Sequence, residues 1–184
     1  SLSKEAISTE FQPVSMKNIS LSANLINNYK FLKSHNVAAI KQGSLHPNEY
    51  ILMMAHWDHL GIKDLGVDKI YNGAIDNATG VAGVLELAKT FSQIETDRSL
   101  LFLFVTAEES GLLGSKYFAE EPPISLSNIV AGFNFDAIHP IGKVKDVVVV
   151  GHGSSELEDL LKSKITKYGK YIKPDPFPEK GYFY

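Results

Sequence analysis

The chain has 184 residues, of which 44% are hydrophobic and 21% charged, and its formal net charge at pH 7 is −3. These are ordinary values for a globular protein with one full core, and they give no electrostatic reason to expect a nucleic-acid partner. The absence of cysteine excludes disulfides, thiolate zinc sites and cysteine nucleophiles, and no apolar run is long enough to cross a membrane.

Apolar periodicity predicts strands and helices that alternate along the chain. The predicted strands cover residues 19–25, 36–41, 50–56, 100–106, 129–135 and 147–150. The predicted helices cover residues 79–94, 112–120 and 157–168. A turn is expected at 43–48, and an extended loop at the prolines of 174–178. This order predicts one α/β layered domain over 1–184 with a largely parallel sheet, preceded at 1–35 by a poorly assigned lead-in.

Metal-competent side chains follow the ends of three predicted strands. His56 ends one strand, Glu108 and Glu109 follow the next, and Asp136 ends a third. Groups just past the carboxyl ends of parallel strands line one crevice, and Asp76 lies in a Gly/Asn-rich loop that can reach over it. Imidazole and carboxylate are zinc ligands, so the set predicts a pair of zinc ions with one spare carboxylate as a base.

Each motif alone has a simpler interpretation. His56 and Asp58 could form a polar pair, Asp76 could cap the following helix, the glutamate pair could lie in a solvated loop, and Asp136 could begin a turn. Four such coincidences, all at strand ends or before a helix and all with metal-competent side chains, favour a metal site.

Four stretches resemble the zinc peptidases of family M28, which include bacterial aminopeptidases. They are His-Trp-Asp-His-Leu-Gly at 56–61, Asn-Gly-Ala-Ile-Asp-Asn-Ala-Thr-Gly at 72–80, Thr-Ala-Glu-Glu-Ser-Gly-Leu-Leu-Gly-Ser at 106–115, and Asn-Phe-Asp at 134–136. Their order and spacing both match, and the resemblance runs from about Val37 to the end of the chain. It implies the three-layer fold of zinc exopeptidases, in which helices flank a mixed, mostly parallel sheet.

The resemblance also implies a ligand set for two zinc ions. His56 and Asp136 would bind one zinc, Glu109 would bind the other, and Asp76 would bridge them. Family members carry a last histidine ligand for the second zinc shortly after a Pro-Glu-x-Gly segment, which residues 178–181 reproduce just before Tyr184. We therefore expect a fragment that lacks its C-terminal strand and helix, and that holds the second zinc weakly or not at all.

Other histidines are not convincing replacements for that ligand. His59 is expected to shape the pocket or a turn, whereas His139 follows the Asp136 motif closely enough to line the cleft. His152 has the context of a loop residue.

The resemblance assigns the remaining two residues to catalysis. Glu108 would be the general base and Asp58 would accept a hydrogen bond from His56. A hydroxide bridging the zinc ions would attack the scissile carbonyl, and Glu108 would return the proton to the leaving amine. The implied protein is a secreted or periplasmic aminopeptidase acting on peptides. The alternatives are a carboxypeptidase or dipeptidase, a glutaminyl-cyclase-like enzyme, and a non-catalytic ectodomain that serves as a binding module.

Overall fold

The computed structural model describes residues 12, 18–64, 66–138, 142–150, 153 and 155–176. The chain divides into two units, Ser1–Lys33 and Ser34–Tyr184. In the first unit, the described residues form no helix or strand, so the strand predicted at 19–25 is wrong. Its alternating leucines, Leu21 and Leu25, are 94% and 82% exposed, because alternation produces a strand only where a partner strand and an apolar surface are available.

In the second unit, the described residues form six strands and three α-helices. The strands are β1 (Val37–Lys41), β2 (His46–His56), β3 (Arg98–Val105), β4 (Ile129–Asn134), β5 (Asp146–Val149) and β6 (Tyr171–Pro174). The helices are α1 (Ala78–Ser92), α2 (Leu113–Glu120) and α3 (Leu157–Ile165), with short 3₁₀ helices at Leu126–Asn128 and Thr166–Tyr168. All strands and helices predicted beyond residue 35 are confirmed, with shifts of a few residues at their ends.

The strands form one larger sheet and one smaller pair. The larger sheet has the order β1-β3-β2-β4, in which β2 runs parallel to β3 and β4 while β1 runs antiparallel to β3. Strands β5 and β6 form a separate parallel pair. The mixed, mostly parallel α/β architecture is therefore confirmed.

Both faces of the larger sheet are covered by helices. On one face, Met53, Ala55, Leu100 and Phe102 pack with Val84 of α1. On the other face, the alternate residues of β3 pack with Phe118 of α2; these are Leu101, Leu103 and Val105. Because both sets of alternating side chains are buried, β3 is apolar from Leu100 to Val105 and forms the centre of the three-layer core.

Two boundaries differ from the prediction. The turn expected at 43–48 is shorter, because strand pairing already begins at His46 opposite Arg98, with an irregular register between His46 and Tyr50. Pro47 has no N–H for the sheet, but its carbonyl oxygen accepts a hydrogen bond from Ser99 Oγ. Strand β6 was not predicted, because its last residue is Pro174 and proline disfavours a strand. The described β5–β6 pair places this proline at the end of an edge strand, where it is tolerated.

Candidate metal centre

The three parallel strands deliver the predicted side chains to one edge of the sheet. His56 is the last residue of β2, and the glutamate pair follows β3, which ends at Val105. Asp136 follows β4, which ends at Asn134. The pairing of β2 with β3 continues one residue past the end of β2, because Trp57 N donates a hydrogen bond to Val105 O. The fold thus places these side chains together through topology, before any contact between them is considered.

A first group of possible ligands surrounds His56. Its Nε2 lies 3.0 Å from Asp76 Oδ1 and 3.4 Å from Asp136 Oδ1, near the spacing of about 3.3 Å expected between ligands of tetrahedral zinc. The His56 side chain is only 2% exposed, yet Nε2 makes no hydrogen bond. A buried nitrogen without a hydrogen bond, facing two carboxylates, is suited to bind a metal ion.

The carboxylates also change the acid–base behaviour of His56. Burial acts to lower the pKa of His56, but Asp136, Glu108, Asp76 and the Asp58 carbonyl act to raise it, and the net result is a raised pKa. The site therefore favours positive charge at this position, in the form of either a proton or a cation.

A second group of possible ligands surrounds Glu109. His59 Nδ1 lies 2.8 Å from Glu109 Oε1, and these atoms and an Asp76 oxygen lie within 4.8 Å of one another. The His59 and Glu109 atoms are both buried, and neither makes a hydrogen bond. Asp76 belongs to both groups, so its carboxylate is shared by them. The donor set fits zinc in both groups.

Asp58 differs from its expected contact. Its Oδ1 lies 3.6 Å from His56 Nδ1, beyond hydrogen-bond length, whereas its backbone oxygen lies 3.1 Å from that nitrogen. The Asp58 carboxylate instead accepts hydrogen bonds from the backbone N–H groups of Glu108, at 3.0 Å, and of Glu109, at 3.3 Å. Asp58 thus fixes the tautomer of His56 through its main chain and fixes the glutamate pair through its side chain.

Glu108 stands beside the first group without being part of it. Its Oε2 is 4.0 Å from His56 Nε2, and its side chain is 31% exposed, so solvent can reach it. Burial raises the pKa of the Glu108 carboxyl. The nearby His56 lowers this pKa, whereas Glu109 and other carboxylates raise it, so that the pKa of Glu108 lies above its ordinary value. A carboxylate with a raised pKa accepts a proton more readily than an ordinary carboxylate does.

Asn77 is a positioning residue that sequence reasoning missed. It is 2% exposed, and its side chain caps α1 by accepting a hydrogen bond from Gly80 N at 3.0 Å. The same oxygen accepts from Ala137 N at 3.2 Å, and its amide donates to Phe135 O at 2.9 Å. Asn77 therefore connects the loop that carries Asp76 to the segment that carries Asp136. Its position directly before a helix was the available signal, since Asn is favoured as an N-cap.

The backbone next to the candidate ligands adopts uncommon conformations. Ala107, just before the glutamate pair, has a φ of 54°, and Ala137, just after Asp136, has a φ of 45°. The peptide bond between Asp76 and Asn77 is cis. Positive φ values are costly for alanine and are concentrated at functional sites. The conformations of Ala107 and Ala137 are therefore consistent with a site that demands particular side-chain directions.

Some predicted features fall outside the residues that the structure describes. They are His139, His152 and the Pro-Glu-Lys-Gly segment at 178–181. Among the helices of the described ranges, none is both long enough and apolar enough to cross a membrane.

Comparison with known proteins gives several similar chains. A probable zinc metalloprotease of Pyrenophora teres f. teres (strain 0-1) is 32% identical over 102 residues, which are 55% of this chain and 22% of the relative. Leucine aminopeptidase 2 of Arthroderma otae is 29% identical over 65% of this chain and 23% of its own length. The chain therefore spans less than a quarter of the length of these curated relatives.

Solved structures agree on the fold. An aminopeptidase from Aneurinibacillus sp. strain AM-1 superposes with a TM-score of 0.58 at 28% identity, covering 77% of this chain and 34% of that one. A leucine aminopeptidase precursor from Bacteroides thetaiotaomicron gives 0.61 at 21% identity, covering 78% and 58%. The sequence model of peptidase family M28 also matches this chain, over residues 36–184. This chain belongs to peptidase family M28.

Proposed function

We propose that this chain is the catalytic part of a zinc-dependent exopeptidase, and specifically of an aminopeptidase that hydrolyses the N-terminal peptide bond of its substrate. The observation that carries the proposal is that two groups of possible ligands share Asp76, with Glu108 next to one of them. Two metal ions that share one carboxylate, next to a carboxylate that is not a ligand, can carry out metal-assisted hydrolysis.

The contacts support the roles that the resemblance implies. His56 and Asp136 would hold one zinc, Glu109 would hold the other, and Asp76 would be shared by the two groups. Zinc bound there would lower the pKa of a water molecule and polarise the scissile carbonyl. The chain supplies the geometry, because Asp58 accepts hydrogen bonds from both glutamate N–H groups and so keeps Glu108 and Glu109 in fixed relative positions.

Glu108 moves the proton in this scheme. Its carboxylate accepts a proton from the attacking water as the new C–O bond forms. It then donates that proton to the amine nitrogen as the C–N bond breaks, so that one water is consumed for each bond cleaved. The raised pKa of Glu108 supports the first half of this cycle, because a more basic carboxylate accepts a proton more readily.

The aminopeptidase assignment rests on the relatives. The Arthroderma relative and the Aneurinibacillus structure are both named aminopeptidases. A glutaminyl cyclase from Bacteroides thetaiotaomicron has a TM-score of 0.59 at 20% identity, which shows a shared fold alone. Carboxypeptidase, dipeptidase and glutaminyl-cyclase activity and a non-catalytic binding module remain the alternatives. Export from the cell is also part of the proposal, supported by the absence of cysteine, and cell fractionation tests it.

The test of catalysis is Glu108→Gln. We expect turnover of aminoacyl-p-nitroanilides to be lost, by a factor of about 100 or more, because the amide cannot accept the proton. Zinc content should stay at the wild-type value, since Glu108 is not a proposed ligand. Glu86→Gln is the matched control, because Glu86 lies on α1 and its side chain is 70% exposed. Loss of zinc from Glu108→Gln would make Glu108 a ligand and contradict its assigned role.

A second assay separates the substrate classes. An aminopeptidase recognises a free α-amine, so acetylation of the substrate amine should abolish turnover. Equal rates on free and acetylated substrates would exclude the aminopeptidase assignment and leave the other hydrolases of this fold. Cyclisation of an N-terminal glutamine without release of an amino acid would indicate the glutaminyl-cyclase alternative.

A further inference from the structure

The glutamate pair lies in a loop whose two ends are joined to each other. This glutamate loop comprises residues 106–114. The N–H of its last residue, Gly114, donates a hydrogen bond to the carbonyl oxygen of its first, Thr106, at 2.9 Å. Inside the loop, Leu112 N donates to Glu108 O at 2.8 Å. The backbone position of Glu108 therefore depends on how the ends of the loop are held.

Two residues of the glutamate loop adopt left-handed backbone conformations. Ala107 has a φ of 54° and Leu112 a φ of 61°. Such conformations are costly for residues other than glycine, and they persist only where the surrounding structure fixes them. The loop thus depends on contacts from outside it, and the Asp58 carboxylate supplies two of these, to the N–H groups of Glu108 and Glu109.

Asn36 supplies a second pair of contacts, at the ends of the loop. Its Nδ2 donates a hydrogen bond to Gly114 O at 2.7 Å, and its Oδ1 accepts one from Thr106 N at 3.1 Å. A carbonyl oxygen only accepts and a backbone N–H only donates, so these two partners fix the orientation of the amide. A Cβ built on Gly114 would lie 2.6 Å from Asn36 Oδ1, so glycine at this position leaves room for the Asn36 side chain.

The sheet topology explains why Asn36 reaches this loop. Strand β1 begins directly after Asn36 and runs antiparallel to β3, so that Val37 pairs with Phe104 near the carboxyl end of β3. The residues before β1 therefore lie at the same edge of the sheet as the candidate ligands. The indole N–H of Trp57 also donates to the neighbouring His35 O, at 3.2 Å. The segment before β1 thus contacts the loops that follow both β2 and β3.

We propose that Asn36 is a positioning residue for the hydrolysis, which holds Glu108 in place by joining both ends of the glutamate loop. A general base must lie within hydrogen-bond reach of the proton that it accepts. Misplacement of a reacting group by about 1 Å can lower the rate about 100-fold. The inference rests on the proposed function, because it concerns the proton transfer assigned to Glu108.

Kinetics of Asn36→Ala and Ser99→Ala test the proposal with aminoacyl-p-nitroanilides. Ser99 is the matched control near the amino end of β3, because its buried hydroxyl also accepts from one backbone group and donates to another, Gly43 N at 3.0 Å and Pro47 O at 2.8 Å. Both variants lose two hydrogen bonds and should melt at a lower temperature than wild type. Only Asn36→Ala should also lower kcat, by about 10–100-fold, with KM changed by less than about threefold and zinc content unchanged.

Hydrogen exchange of the metal-free chain, followed by mass spectrometry, measures the loop without any need for turnover. Asn36→Ala should speed the exchange of amide hydrogens in the glutamate loop by about tenfold or more, whereas Ser99→Ala should leave that loop at the wild-type rate. Asn36→Asp covers the case in which the alanine variant fails to fold. Its carboxylate keeps an acceptor for Thr106 N but has no hydrogen for Gly114 O, so its effects should be smaller and in the same direction.

The outcomes separate the inference from the proposed function. Wild-type exchange of the glutamate loop in Asn36→Ala, or equal losses of kcat in Asn36→Ala and Ser99→Ala, would overturn the inference and leave the proposed function standing. Absence of turnover by folded, zinc-loaded wild-type chain would overturn the proposed function, and the catalytic role of Asn36 would fall with it. Faster exchange of the loop together with a selective loss of kcat would support both.

Discussion

Replacement of Asn77 by alanine tests whether one buried side chain holds the metal centre together. The substitution removes the cap of α1, which contributes about 1 kcal/mol. It also leaves Phe135 O, which is partly buried, without its donor, at a cost of about 1–2 kcal/mol. Ala137 is exposed, so water can replace the lost bond there and the added cost is small. The expected loss in free energy of unfolding is about 2–3 kcal/mol.

Urea denaturation followed by circular dichroism measures this loss, with Asn72→Ala as the matched control. Asn72 lies in an exposed loop, and its side-chain hydrogen bonds are long, at 3.4 Å. Its replacement should change the free energy of unfolding by less than about 0.5 kcal/mol. Zinc should also stabilise Asn77→Ala less than it stabilises wild type, because Asp76 and Asp136 lose their connection. An equal, small effect of both variants would refute the positioning role of Asn77.

Two further variants test how the site is built. Asp58→Ala removes the acceptor of two backbone N–H groups of the glutamate pair. The kcat should therefore fall by about 10–100-fold while the first zinc is retained. An unchanged kcat would show that the contact is incidental. Gly80→Ala should lower the melting temperature, because the new methyl group would overlap the Asn77 side chain. Gly83→Ala on the same helix is the control, since its methyl group meets only a flexible side-chain end. Equal melting temperatures of the two variants would contradict this reasoning.

The sheet and its edge were predictable because the signals were local. Strands β2 and β3 each contain an apolar run, and α1 carries an apolar stripe beginning at a capped turn. Parallel strands place their carboxyl ends together, so the positions of His56 and Asp136 follow from strand ends alone. The strand expected at 19–25 shows the limit of periodicity, since an alternating pattern says nothing about whether a partner exists.

The contacts inside the site were less predictable, because they depend on backbone directions. Sequence gives Asp58 two residues after His56, but it does not show that the main-chain carbonyl is the nearer acceptor. Similarly, His59 follows β2 in an irregular segment, and only the path of that segment brings its ring to Glu109. Side-chain identity fixes which ligands are available, whereas loop geometry decides which of them meet.

Anomalous X-ray diffraction at the zinc edge, on crystals of the zinc-loaded chain, would locate the metal ions themselves. We expect two peaks on either side of Asp76, about 3.5–4 Å apart, one beside His56 and Asp136 and one beside Glu109. A single peak away from Asp76, or no peak at this edge of the sheet in folded protein, would contradict the proposed dinuclear centre.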